Sequence, residues 1–284
     1  MLRKKLIVCD VDNTLYDWVS YFVPSFYTMV DKVIEMTGWS RDQLLDDFRK
    51  VHQAHGDSEH PFALLETECV RRGFPNKSTK ELLQIFDPAF HAFNSMRKET
   101  LKLFPTVRDT LRELQARDIR LVAHTESKLF AVLDRLSRLD LTSYFEAIYC
   151  STRSDSPHPR GAPQLALPDE VLSRVRELSH HQRKPDGSVL VEICRNADAD
   201  PSEAAYIGDS IARDVMMAKG VGVYAIWAAY GSQHDKNQYD LLVRISHWTT
   251  ADVQREKRLA QAALAIKPDF IAKSTFSEIL NADL

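Results

Sequence analysis

Short apolar runs alternate with segments of helical periodicity along most of this chain, and that alternation leaves few folds open. The runs are Leu6 to Cys9, Leu121 to Ala123, Ala147 to Cys150, Ala204 to Ile207, Val221 to Trp227 and Phe270 to Ala272. Each is too short for a typical helix and lacks polar alternation, as expected of strands buried on both faces. Between them Leu111 and Leu114, then Leu129, Val132, Leu133 and Leu136, then Ile211, Val215 and Ala218 recur at helical spacing. Strand and helix in turn predict an α/β fold, a doubly wound parallel sheet covered on both sides.

The alternation stops between Tyr16 and about Leu103. Helical spacing takes over there, with Leu44, Leu45, Phe48 and Val51 on one face and Leu82, Leu83, Phe86, Phe90 and Phe93 on another. A length of 284 residues, at about 150 per domain, leaves room for two units. The predicted division is a discontinuous α/β core, 1–15 and 104–284, carrying a smaller all-helical unit, 16–103. Two stretches read as peripheral, 151–183, rich in Pro, Ser and His, and 232–266, polar with an amphipathic second half. Either could shape an entrance, form an oligomer contact or decorate the surface.

Lys plus Arg total 37 against 40 Asp plus Glu, a formal charge of −3, which argues against a dedicated nucleic-acid or anionic-membrane binder. Nine glycines include no GxxxxGK[ST] loop and no GxSxG elbow. The GxGxxA match at Gly220, Gly222 and Ala225 precedes a strand-like run instead of following one, the wrong context for cradling a pyrophosphate. Cys9, Cys69, Cys150 and Cys194 form no CxxC pair, so neither a zinc ribbon nor a disulfide framework is expected. The apolar stretch after Arg3, Lys4 and Lys5 ends at Asp10, too soon for a signal peptide, and a cytoplasmic location is expected.

The chemistry concentrates where strands end. The first run closes in Cys9-Asp10-Val11-Asp12-Asn13-Thr14-Leu15, which sets two carboxylates at alternate positions beside the binding crevice of an open parallel sheet. Such a pair suits phosphoryl transfer: one carboxylate attacks phosphorus, and the other donates a proton to the leaving oxygen and later takes one from water. A turn closed by Asx hydrogen bonds is the alternative for these two residues alone. After the fourth run comes Gly208-Asp209-Ser210-Ile211-Ala212-Arg213-Asp214, which brings Asp209 to a strand tip and Asp214 into the following helical turns. Taken singly, Asp209 could be a helix cap and Asp214 a solvated helix residue. Four carboxylates facing one crevice would repel each other unless a cation sat among them, and all-oxygen ligation suits Mg²⁺.

Two further positions fit the same chemistry. Thr125 closes Leu121-Val122-Ala123-His124-Thr125-Glu126, offering a hydroxyl and nearby N–H groups to phosphoryl oxygens, and Lys184 in Lys184-Pro185-Asp186 offers positive charge.

With DVDNTL, the Thr125 strand, KPD and GDSIARD in this order, the chain resembles the haloacid dehalogenase superfamily of hydrolases. Lys184 precedes Asp209 by 25 residues, a spacing familiar in that family. These motifs span residues 4–15 and 104–230, and 268–280 resembles the family's last strand and helix. The resemblance implies a Rossmann-like core with a helical cap inserted at 16–103. It implies Mg²⁺-dependent transfer in which Asp10 becomes an aspartyl phosphate, Asp12 serves as acid then base, and Lys184 neutralises charge. The metal would be held by Asp10, the Asp12 backbone carbonyl, Asp209, and Asp214 directly or through water. Thr125, Glu126 and Lys184 form the implied phosphate-binding set. Glu126 departs from the family's small or amide residue there and brings negative charge close to the phosphate. Dehalogenases of the family lack an aspartate at the position of Asp12, which favours phosphate esters over carbon–halogen bonds.

The expected activity is therefore a phosphatase acting on a small phosphorylated metabolite, with a phosphomutase or a non-catalytic binding module as the rivals. Tyr16, Asp17 and Trp18 begin the connection to the helical insertion and are candidates for substrate specificity. His52, His55 and His60, beside Asp57 and Glu59, have the composition of a metal site but no fixed ligand spacing. His124, inside an apolar strand, reads more simply as satisfied by local hydrogen bonds than as tuning Thr125.

Overall fold

A computed structural model describes residues 3–60, 62–152, 168–179 and 181–284. Its centre is a seven-stranded, wholly parallel sheet in the order β4-β3-β2-β1-β5-β6-β7. The strands are β1 (Leu6–Cys9), β2 (Arg120–Lys128), β3 (Ala147–Ser151), β4 (Val175–Leu178), β5 (Ala204–Gly208), β6 (Tyr224–Ala228) and β7 (Phe270–Ala272). Every residue of β1 and β5 is buried. Alternate side chains feed two different cores: Ile7, Cys9, Ala205 and Ile207 go to one face, and Leu6, Val8, Ala204 and Tyr206 go to the other. A period of two on a sheet buried on both faces explains why these runs carry no polar residue. The chain winds outward from β1 through β2 to β4, then returns to β5 on β1's other side. The crevice for a ligand therefore opens beyond the carboxyl ends of β1 and β5.

Helices α6 (Val107–Ala116) and α7 (Leu129–Arg138) pack on the first face, and α9 (Gly187–Asn196) and α10 (Met216–Gly220) on the second. The predicted fold class is what the chain adopts. Several boundaries differ from the sequence reading. β2 runs past Thr125 to Lys128, so that threonine lies within the strand, and β6 begins at Tyr224 because Val221 and Gly222 still form a turn. The single helix expected across Ile211 to Ala218 is a π-helical turn, Ile211–Val215, followed by the short α10. The stretch 151–183 holds α8 (Asp169–Ser173) and the edge strand β4, whose pattern VREL has too few apolar residues to announce itself; its residues 153–167 and 180 lie outside the described ones.

Residues 18–100 fold into α1 (Trp18–Thr37), α2 (Arg41–His55), α3 (Glu68–Gly73), α4 (Thr79–Ile85) and α5 (Asp87–Thr100) around a hydrophobic cluster of their own. Asp17 caps α1 by accepting from Ser20 N, and Gly38 ends it at φ +69°, a conformation costly for other residues. Two strands of chain join this layer to the sheet side by side. Tyr16 bridges Leu103, and Phe104 N donates to Leu15 O at 2.9 Å. The stretch 232–266 forms α11 (Lys236–Ile245) and α12 (Thr250–Ala262), and it does more than decorate: Leu242 and Ile245 of α11 are buried in the cluster built by α1 and α2. Among the described residues no helix is long and apolar enough to cross a membrane.

Candidate active site

Asp10 follows β1 directly, and its N–H continues the sheet by donating to Ile207 O of β5 at 2.9 Å. The residue is 6% exposed. Oδ1 accepts from Lys184 Nζ at 2.5 Å, and Oδ2 accepts from Thr14 Oγ1 at 2.8 Å. Lys184, 4% exposed, also lies 2.9 Å from Asp214 Oδ1 as an ion pair. That oxygen is buried and accepts no hydrogen bond, whereas Oδ2 of Asp214 accepts from Ser210 N at 3.0 Å. The approach depends on Gly208, where a Cβ would stand 2.3 Å from Asp214 Cγ.

Asp10, Asp209 and Asp214 each offer a carboxylate oxygen within 4.8 Å of the others. Burial pushes the Asp10 carboxyl up to about 7 against the pull of Lys184, with Asp214 adding repulsion. Burial, then Asp10 and Asp214, likewise holds the Asp209 carboxyl well above its usual range. Burial works to discharge Lys184, but Asp10 and Asp214 outweigh it and keep the ammonium. Three carboxylates facing one ammonium form a hard, all-oxygen set with negative charge to spare, and one of its buried oxygens lacks a hydrogen bond. The residues fit a small divalent cation of the Mg²⁺ kind.

Asp12 turns the other way. Its Oδ2 accepts from Ser127 Oγ at 2.5 Å and from Thr125 Oγ1 at 3.2 Å, and its Oδ1 accepts from Tyr16 OH and lies 3.3 Å from Arg135 NH2. Thr125 and Ser127 sit two apart on β2 and so reach the same side. Behind Lys184, the Tyr206 ring lies 5.4 Å below the ammonium, and Tyr206 OH meets His124 Nδ1 at 3.2 Å. Burial, then Lys184, depresses His124, which stays neutral as a hydrogen-bonding partner.

The structure thus gathers Asp10, Asp12, Thr125, Lys184, Asp209 and Asp214 at one rim of the sheet. The Glu126 carboxylate pairs with Arg213 at 3.1 Å. Of the specificity candidates, Tyr16 reaches Asp12, whereas Asp17 is spent on capping α1 and Trp18 stacks on Phe22 at 5.1 Å. His52 Nδ1 donates to Ile245 O at 2.7 Å. His55 and His60 stack at 3.5 Å and 6°, each Nε2 lying 2.8 Å from a separate oxygen of Glu66. Parallel rings so placed cannot both aim in-plane lone pairs at one ion, and the trio is a hydrogen-bonded clip.

Sequence reasoning gave no role to Thr14, Ser127 and Arg135, and met Glu59 only beside the three histidines. Ser127 was discoverable, because it repeats the Thr125 position one strand period later. Arg135 offered no signal, since an arginine at the border of an apolar helix stripe ordinarily reaches water.

A parallel sheet with this acidic centre at its topological switch defines a Rossmann-like core whose ligand crevice is lined by carboxylates. The chain belongs to the haloacid dehalogenase-like hydrolases: the family model matches residues 4–222, and a second, HAD-hydrolase-like, model matches 181–275. The resemblance read from the motifs is therefore borne out. The chain is similar to glyceraldehyde 3-phosphate phosphatase of Methanopyrus kandleri, at 24% identity over 236 residues, covering 81% of this chain and 86% of that one. It is similar to phosphoglycolate phosphatase 1 of Pseudomonas aeruginosa, at 24% over 234 residues, covering 82% and 72%. Its fold matches the crystal structure of a 2-haloacid dehalogenase from Pseudomonas syringae pv. Tomato DC3000 with a TM-score of 0.55 and 20% identity, covering 98% and 97%.

Proposed function

We propose that this protein is a Mg²⁺-dependent phosphatase of small phosphate esters that works through an aspartyl phosphate on Asp10. The observation that carries the reading is the pair Asp10 and Asp12: two carboxylates two residues apart, one against Lys184, Asp209 and Asp214, the other against three hydroxyls. An aspartate at position 12 supplies the proton donor that ester cleavage needs and that carbon–halogen cleavage does not. Similarity to two phosphatases over four-fifths of the chain supports the same class.

Asp10, Asp209 and Asp214 would hold the cation, which when bound withdraws charge from the phosphoryl oxygens and quenches the carboxylates' mutual repulsion. One oxygen of Asp10 attacks phosphorus while Lys184 and Thr14 fix the carboxylate's orientation. As the bond to the leaving oxygen breaks, Asp12 gives that oxygen a proton. Asp12 then takes a proton from the water that attacks the phosphoryl group, the Asp10–phosphorus bond breaks, and inorganic phosphate leaves. The α1–α5 layer with α11 serves as a cap, hinged where Tyr16 and Leu103 run together.

Phosphate release from a panel including 2-phosphoglycolate and glyceraldehyde 3-phosphate tests the reading. Release with Mg²⁺, abolished by chelator, is expected; no release from any ester defeats it, and an isomerised sugar phosphate without free phosphate would point to a mutase.

The acidic trio also makes a stability prediction. Asp10 titrates near 7 in the folded, metal-free protein and near about 4 unfolded, so the folded state holds the extra proton in between. Metal-free protein should therefore lose stability as pH rises from about 5 to 7, and saturating Mg²⁺ should remove that slope and raise Tm by several degrees. Thermal melts with and without Mg²⁺ across this range check it. Identical melts would mean that no cation binds among these carboxylates.

A further inference from the structure

Arg135 is the largest fully buried side chain of the molecule's described residues, 1% exposed, although it is an arginine on a core helix. Its NH1 grips both oxygens of Glu59, at 2.6 and 2.8 Å. Its NH2 donates to Ser127 Oγ at 2.7 Å and lies 3.3 Å from Asp12 Oδ1. The rings of Tyr16 and Tyr21 lie 5.8 Å from the guanidinium, and Tyr16 itself donates to Asp12. A buried charge of this kind is tolerated only when paired and hydrogen-bonded, and here the pairing joins two parts of the molecule.

Glu59 belongs to the loop that follows α2, in the helical layer. Its two predecessors are also tied outward. Asp57 pairs with Lys128 at the end of β2 at 3.1 Å, and Ser58 Oγ meets His247 Nδ1, between α11 and α12, at 3.0 Å. Three consecutive residues of one loop thus hold the sheet and the returning segment, and the central grip on the sheet side is the one that also touches Asp12.

We propose that Arg135 is a positioning residue that aims Asp12, and that Glu59 docks the helical layer onto that same guanidinium, so that seating the layer and setting the proton-transfer carboxylate are one event. The inference rests on the phosphatase reading for what Asp12 does, but not for the docking itself. Lysine cannot replace this arginine, because its one ammonium cannot set one nitrogen on Glu59 and a second on Ser127 and Asp12 at once.

Two variants test it, each with two readouts. Arg135→Lys should lower kcat by about tenfold to a hundredfold with KM changed far less, the signature of a misaimed proton donor. Glu59→Gln keeps the shape but removes the charge, and should lower kcat by a smaller factor. It should also speed amide hydrogen exchange both in 56–60 and in the distant 125–135 segment. The double variant should be about as slow as Arg135→Lys alone, since both remove one interaction. Arg135→Lys that lowers Tm but leaves kcat within about twofold would reduce the residue to packing and overturn the proposal. So would exchange in Glu59→Gln confined to its own loop. Should Arg135→Lys fail to fold, Glu59→Gln carries the test alone. The exchange arm needs no turnover, so an inactive wild type would defeat the phosphatase reading while leaving the docking claim to be decided.

Discussion

Asp10→Asn is expected to cut turnover by at least about 10³-fold while leaving the protein folded and, without metal, somewhat more heat-stable than wild type. The amide is nearly isosteric: its oxygen can still accept from Lys184, now 2.5 Å from Oδ1, while its NH2 can donate to the Thr14 hydroxyl that now donates to Oδ2 at 2.8 Å. It cannot attack phosphorus, so the covalent path closes. The gain in stability follows from electrostatics: Asp10 is buried and faces Asp214 and Asp209, so removing its charge relieves a repulsion that Lys184 only partly offsets. The same variant should lose most of the Mg²⁺-induced rise in Tm. Steady-state phosphate release and paired melts measure all three effects. A rate within about tenfold of wild type would remove Asp10 as the nucleophile, whatever became of the metal.

The fold and the acidic centre were legible in the sequence for one reason. Buried parallel strands are short and purely apolar, and functional residues sit at their carboxyl ends, so position along the chain encodes position in the crevice. Asp10 and Asp209 are found that way, whereas Lys184, six residues past β4, is found through its Lys-Pro-Asp motif and its place in the order of motifs. Recognition failed where geometry depends on contacts remote in sequence. β4 carries Arg176 and Glu177 on an edge, where one side needs no apolar residue, and so it has no strand-like signature. Leu242 and Ile245 look like any amphipathic helix until the chain is seen returning to α1 and α2. Arg135 reads as a surface residue unless Glu59, 76 positions earlier, is known to meet it. Glu126 is the reverse case: adjacency to Thr125 says nothing of where its carboxylate goes, and the side chain pairs with Arg213, 87 positions later.

Gly231→Ala is expected to destabilise the protein by about 3 kcal/mol and to lower kcat by about a hundredfold, although residue 231 carries no reacting group. Gly231 lies buried in the turn after β6, and a Cβ there would stand 1.7 Å from Asn13 O and 3.2 Å from Asp209 Cβ. The nearest obstacle is backbone and cannot swing aside like a side chain. Asn13 sits at φ +58° between Asp12 and Thr14, its side chain accepting from Trp18 N at 3.0 Å. Movement there displaces both carboxylates of the first motif. The turn and the strand before it brace the site at two other points, through Tyr230 OH to Thr14 O and Trp227 Nε1 of β6 to Asp209 O, each at 2.8 Å. Relief by shifting the turn would therefore disturb Asp209 instead. Gly220→Ala is the matched control: nothing lies within 4 Å of its Cβ position, at the end of α10, and the change should be neutral or slightly stabilising. Melts and steady-state rates of the two variants side by side decide the matter. Equal behaviour would mean that the first-motif loop yields freely, and the rigid positioning of Asp10 and Asp12 by β6 would have to be abandoned.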